Sequence, residues 1–98
     1  MRIIYRPRGT GKTRELIWMS HETGYTIVTN KHNYAKEIKH IADSIGVSIP
    51  DPMAIDFVLP GKYEGLKIKG ILIDNVELVL GTIFRGLSIG AITMRKEE

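Results

Sequence analysis

Cysteine is absent from this chain of 98 residues. Its absence excludes disulfides, thiol nucleophiles and thiolate zinc sites, and it fits a reducing, intracellular setting. Long apolar runs are also missing: none approaches the ~20 residues that cross a bilayer, and the N-terminus lacks the extended apolar core of a signal peptide. A cytoplasmic protein with no membrane partner is expected. Charge of one sign is scarce, the formal net charge being only +3. An excess that small is compatible with polyanion binding without indicating it. There is no internal repeat and no low-complexity tract, and His21, His32 and His40 show no convergent metal spacing. They read as surface residues.

What is present is an ordinary globular composition, 43% apolar and 26% charged, in a length that allows one domain spanning residues 1–98. A chain of this size buries about two thirds of its unfolded surface, so the core must be small. The cations gather early, at Arg2, Arg6, Arg8, Lys12 and Arg14.

They surround the most informative stretch, Tyr5-Arg6-Pro7-Arg8-Gly9-Thr10-Gly11-Lys12-Thr13. A phosphate loop needs a strand to deliver the chain, glycines that let backbone N–H groups turn toward an anion, and a helix whose positive end starts there. Met1 to Tyr5 is short and apolar enough for the strand, Gly9 and Gly11 bracket the turn, and a helical pattern runs from Thr13 to Thr23 with Gly24 as its stop. Leu16, Ile17, Trp18 and Met19 would pack while Arg14, Glu15, Ser20, His21 and Glu22 face water.

Tyr25 to Thr29 is β-branched and aromatic and reads as a strand, with Asn30 placed to cap the next helix. From Lys31 to Ile45 the apolar positions Tyr34, Ile38, Ile41, Ala42 and Ile45 form a helical stripe that ends at Gly46. The opposite face carries Lys31, Lys36, Lys39 and His40, either a solvated surface or a contact for nucleic-acid backbone. Val47 to Ile49 suits a short strand, Pro50 and Pro52 force an irregular connection, Met53 to Leu59 suits one or two helical turns, and Pro60 to Gly65 suits an exposed loop. Ile71-Leu72-Ile73 has the character of a parallel strand buried on both faces, ending in Asp74 where such strands meet their ligands. Asn75 to Phe84 should be a short helix that breaks near Gly86, and Leu87 to Met94 a last strand. Alternation of strands and helices predicts an α/β fold: a three-layer sandwich with a mostly parallel sheet of four to five strands.

RPRGTGKT resembles the Walker A motif of P-loop nucleoside triphosphatases, and ILID resembles Walker B. Arg6 stands where the first Walker A glycine belongs. The resemblance implies ATP and Mg2+ as ligands. Arg8, Gly9, Thr10, Gly11, Lys12, Thr13 and Arg14 would hold phosphate, and Thr13 and Asp74 the metal. Lys12, Asp74, Glu77 and Thr93 would be the catalytic set, Thr93 through a sensor-like role at the end of the last strand. Gly24 to Asn30 followed by a basic helix is similar to the region after Walker A in helicase and phage packaging-motor ATPases, which implies a role in DNA or RNA metabolism. Arg85 and Arg95 read as surface arginines or as charges offered to a neighbouring subunit's nucleotide, since arginine spreads its charge over a planar fork. Hydrolysing relatives place a glutamate after the aspartate, and this chain has Asn75, which cannot serve as a base at neutral pH. Glu77 is the substitute within reach along the chain. Two functions are compatible with these residues: a nucleotide-binding protein with ATPase activity, completed by a further copy or a larger partner, or a non-hydrolysing module on the same scaffold that binds nucleic acid or protein through Lys31, Lys36 and Lys39.

Overall fold

The fold is organised around Thr26–Thr29, the strand β1, all four of whose residues are buried. It lies in a computed structural model that describes residues 11–58, 68–85, 87, 90, 91 and 93. In chain order the other elements are α1 (Lys12–Thr23), α2 (His32–Ser44), β2 (Met53–Ala54), α3 (Ile55–Val58), β3 (Ile71–Ile73) and α4 (Val76–Ile83). The three strands form a parallel sheet in the order β2-β1-β3. Val28 pairs with Met53 on one side and with Ile73 on the other. All three strands therefore end toward the same rim of the sheet.

Neighbouring residues of β1 serve opposite faces, as the pleat requires. Ile27 packs with Leu16 and Ile17 of α1, Ile38 and Ala42 of α2, and Val47 and Ile49. Val28 packs with Ile55 of α3 and Val79 of α4. An α/β architecture with helices against both sides of β1 results.

Local chemistry accounts for the helix ends. Gly24 takes the left-handed conformation at φ 76°, and its N–H closes α1 on the Ser20 carbonyl at 2.8 Å. Gly46, at φ 73°, ends α2, with its own N–H on the Asp43 carbonyl and the Val47 N–H on that of Ala42. This is a Schellman arrangement, and it turns Val47 into the core beside Ala42.

Several expectations are corrected. Ser20 is fully buried rather than wet, because its hydroxyl donates to the Tyr25 carbonyl at 2.6 Å and so enters the core satisfied. Tyr34 is 39% exposed and Ala35, 2% exposed, takes the inward position on that turn. Asn30 does not cap α2, whose N-cap is Lys31; Asn30 is buried and accepts from the Thr29 hydroxyl at 3.4 Å. Val47 to Ile49 is extended and alternates buried, exposed, buried, but pairs with no strand: the Ser48 carbonyl meets His21 Nδ1 at 2.7 Å and the Ile49 carbonyl accepts from Lys39 at 3.4 Å. Met53 and Ala54 join the sheet, and helix begins only at Ile55.

β3 is not buried on both faces. Leu72 joins the Ile27 cluster, whereas Ile71 and Ile73 are 43% and 41% exposed, because β3 is an edge strand of the described sheet. The described residues hold three strands rather than four to five. The expected strand at Met1 to Tyr5, the loop at Pro60 to Gly65, and Leu59, Gly86 and Arg95 lie outside the described residues. Of 87–94, Leu87, Gly90, Ala91 and Thr93 are described, all exposed and none in a strand.

Candidate functional site

At the rim where β1 and β3 end, the chain brings together residues far apart in sequence. Asp74 comes directly after β3, and its N–H donates to the Val28 carbonyl at 3.0 Å, which carries the sheet pairing one step past the strand. It is 7% exposed. Burial pushes its carboxyl above the ordinary carboxylate range, and the Lys12 ammonium pulls in the opposite direction without cancelling the effect. A buried carboxylate with one nearby cation is thus the electrostatic centre of the rim.

Lys12 is the first residue of α1, preceded by Gly11 at φ 82°. A Cβ on Gly11 would meet nothing within 4 Å, so the backbone conformation and not crowding requires glycine there. Lys12 Nζ donates to Asn75 Oδ1 at 2.7 Å, a bond across 63 positions of sequence. Asn75 itself has φ 57°, the one non-glycine residue with positive φ among those described. Its carbonyl starts α4 by accepting from the N–H groups of Leu78 and Val79, at 2.9 and 3.1 Å, while its side chain makes no cap.

An open crevice of ≈ 530 Å3 is lined by Asn30, Lys31, Asp56, Glu77, Thr82 and Arg85, among others, and not by Lys12, Asp74 or Asn75 themselves. Glu77 projects from the first turn of α4 and is exposed. Arg85 pairs with Asp56 at 3.6 Å across the crevice, both side chains being mostly exposed. Such a pair contributes about 0.2–1 kcal/mol.

Of the residues expected from the motifs, Lys12 and Asp74 come together. Thr13 is half-buried in the first turn of α1, and Arg14 beside it is exposed. Arg8, Gly9 and Thr10 lie outside the described residues, and Thr93 is exposed and outside any strand. The lysine face of α2 is not a uniform cationic surface. Lys39 lies 3.6 Å from Asp51 and 3.9 Å from Asp43, while Lys31 and Lys36 are exposed. His21, His32 and His40 are exposed too. Two asparagines carry more than sequence reasoning assigned to them: Asn30 lines the crevice from a buried position, and Asn75 holds the lysine. The usable signal for Asn75 was its residue type, since asparagine tolerates the left-handed region better than most residues.

Among the described residues no group of three or more His, Asp or Glu could hold a metal by itself. Asp74, directly after β3, and Thr13, in the first turn of α1, are the described oxygen donors of the kind that Mg2+ takes. No described helix is long and apolar enough to cross a membrane. Comparison with protein-family models, with curated proteins and with solved structures finds no match to this chain.

Proposed function

We propose that this chain binds a nucleoside triphosphate, ATP, together with Mg2+, on a P-loop scaffold. In this reading the three described strands belong to the four- to five-stranded sheet of a three-layer sandwich. The observation that carries the proposal is the meeting of Lys12 with Asp74 and Asn75 at the carboxyl rim of a parallel sheet. That rim is where open α/β sheets take their ligands.

Each residue has a task that its chemistry suits. Lys12 offers a mobile point charge to the outer phosphates. The first turn of α1 offers N–H groups and the positive end of the helix dipole. Thr13 and Asp74 would hold Mg2+, which neutralises phosphate charge when bound. The raised affinity of Asp74 for a proton is then an asset, because a cation that replaces the proton relieves an otherwise costly buried charge. The chemistry for hydrolysis is thinner. Asn75 cannot take a proton from water, and Glu77 is the carboxylate on that turn that can. Binding is therefore the core of the proposal, with Glu77 the base in any turnover and with a second copy or a partner completing the site. A role alongside nucleic acid rests on the resemblance and on Lys31 and Lys36.

The test is equilibrium binding of labelled ATP with and without Mg2+, to the wild type and to Lys12→Ala. Lys12 is on the surface, so the variant should keep its circular dichroism. We expect binding that depends on Mg2+ and falls at least about tenfold in the variant, as removal of a charged hydrogen-bond partner implies. Equal binding by the two proteins would overturn the proposal.

A further inference from the structure

The absence of a glutamate after Asp74 reads, in sequence, only as the loss of a base. The geometry gives the residue that stands there a positive role. Asn75 sits in a left-handed backbone conformation, φ 57° and ψ 67°, which costs an ordinary side chain about 1–2 kcal/mol. An N-cap asparagine usually has an extended backbone and turns its oxygen back onto its own helix. Here no side-chain cap forms at α4, and the amide oxygen instead reaches across to Lys12 at 2.7 Å. The conformation thus gives up a cap to make a contact with another element. Such a contact matters for a lysine in particular, because its four-carbon stem carries about 2 kcal/mol of rotamer entropy.

We propose that Asn75 is a positioning residue: its side-chain oxygen holds the Lys12 ammonium at the rim, ready for the terminal phosphates of the nucleotide. This rests on the nucleotide reading above. The ammonium has three donors. One goes to Asn75, and among the described residues no other hydrogen-bond partner takes the remaining two. Because the amide is neutral, it orients the lysine without cancelling its charge, which a glutamate or aspartate at this position would do. The residue acts through Lys12 and itself removes no proton.

The experiment uses Asn75→Gly, because glycine keeps the left-handed backbone at little cost while the side chain that carries the amide is removed. Affinity for ATP with Mg2+ is measured in wild type, Asn75→Gly, Lys12→Ala and the double variant, with titrations carried to millimolar nucleotide. The mobility of the Lys12 side chain is followed by carbon relaxation at its ε-methylene in the nucleotide-free protein. We expect Asn75→Gly to weaken ATP about fivefold, to change nothing further in the Lys12→Ala background, and to make the Lys12 ε-methylene more mobile. Unchanged or tighter binding in Asn75→Gly would overturn the inference, as would an equal loss with and without Lys12 or an unaltered Lys12 mobility. In those cases the nucleotide reading still stands on the wild type. If the wild type binds no nucleotide, both fall.

Discussion

On one face of β1, Ile27 sits among buried side chains from two long helices, α1 and α2, and from the segment after α2. On the other face, Val28 meets Ile55 and Val79, from the short α3 and α4, while Leu78, Ile83 and Phe84 at and just after α4 are 40–49% exposed. The first face is a core in the ordinary sense. Among the described residues the second has fewer buried side chains, and Glu77 and Arg85, from α4 and just after it, line the crevice. Packing among the described residues is thus uneven across one strand. The fuller side is packed by α1 and α2, and the start of α1 is also where Lys12 stands, so the cation is anchored on that half. Asn75, which meets it, begins the lightly packed helix. Elements with few buried contacts are the ones that open most easily.

The contrast can be broken most directly by deleting side chains on each face. Ile17→Ala, at a site with 0% exposure, should cost about 3 kcal/mol of unfolding free energy by urea titration. Val79→Ala should cost roughly 1.5 kcal/mol, from the two methyl groups removed. Equal losses would mean that the α4 face is as firmly packed as the α1–α2 face. Between these lies Ser20→Ala, which removes a buried donor from the Tyr25 carbonyl and is expected to cost about 1–3 kcal/mol if no water enters to replace it. The smallest effect is a pH dependence at the rim. The folded Asp74 holds its proton more tightly than the unfolded chain does, whose value is near 3.8. Between that value and the raised one, the folded state binds more protons, so the contribution of Asp74 to stability is lost as pH rises through the window and remains a fixed penalty above it. In metal-free buffer, Asp74→Asn should therefore gain on the wild type as pH climbs from 3.8 and then hold a constant lead. A lead that shrinks with rising pH would show that Lys12 outweighs burial.

Much of the architecture was legible from pattern. Gly24 and Gly46 end helices by the left-handed geometry their positions suggest, and Thr26–Thr29 and Ile71–Ile73 are strands ending at the same rim. What pattern missed has a common cause. Ser20 and Asn30 were judged by residue type, yet their burial goes with the partner the fold sets beside them: a carbonyl for Ser20 and a threonine hydroxyl for Asn30. Val47 to Ile49 alternates as a strand does, and its carbonyls are taken by side chains before any strand can take them. Lys39 looked like part of a basic face until Asp51, between Pro50 and Pro52, came to lie 3.6 Å away.

By itself the sequence determined the helix stops, the strand at β1, and the residue types available at the rim: one lysine after a glycine, one aspartate after an apolar run, and no base directly behind it. Those are local matters of backbone freedom, periodicity and side-chain chemistry. Only the tertiary structure decided that Lys12 and Asn75 touch, that Asp74 is buried enough to resist ionisation, and that packing among the described residues is uneven across β1. Distances across 63 residues and the loss of water around a carboxylate depend on how the whole chain folds back on itself.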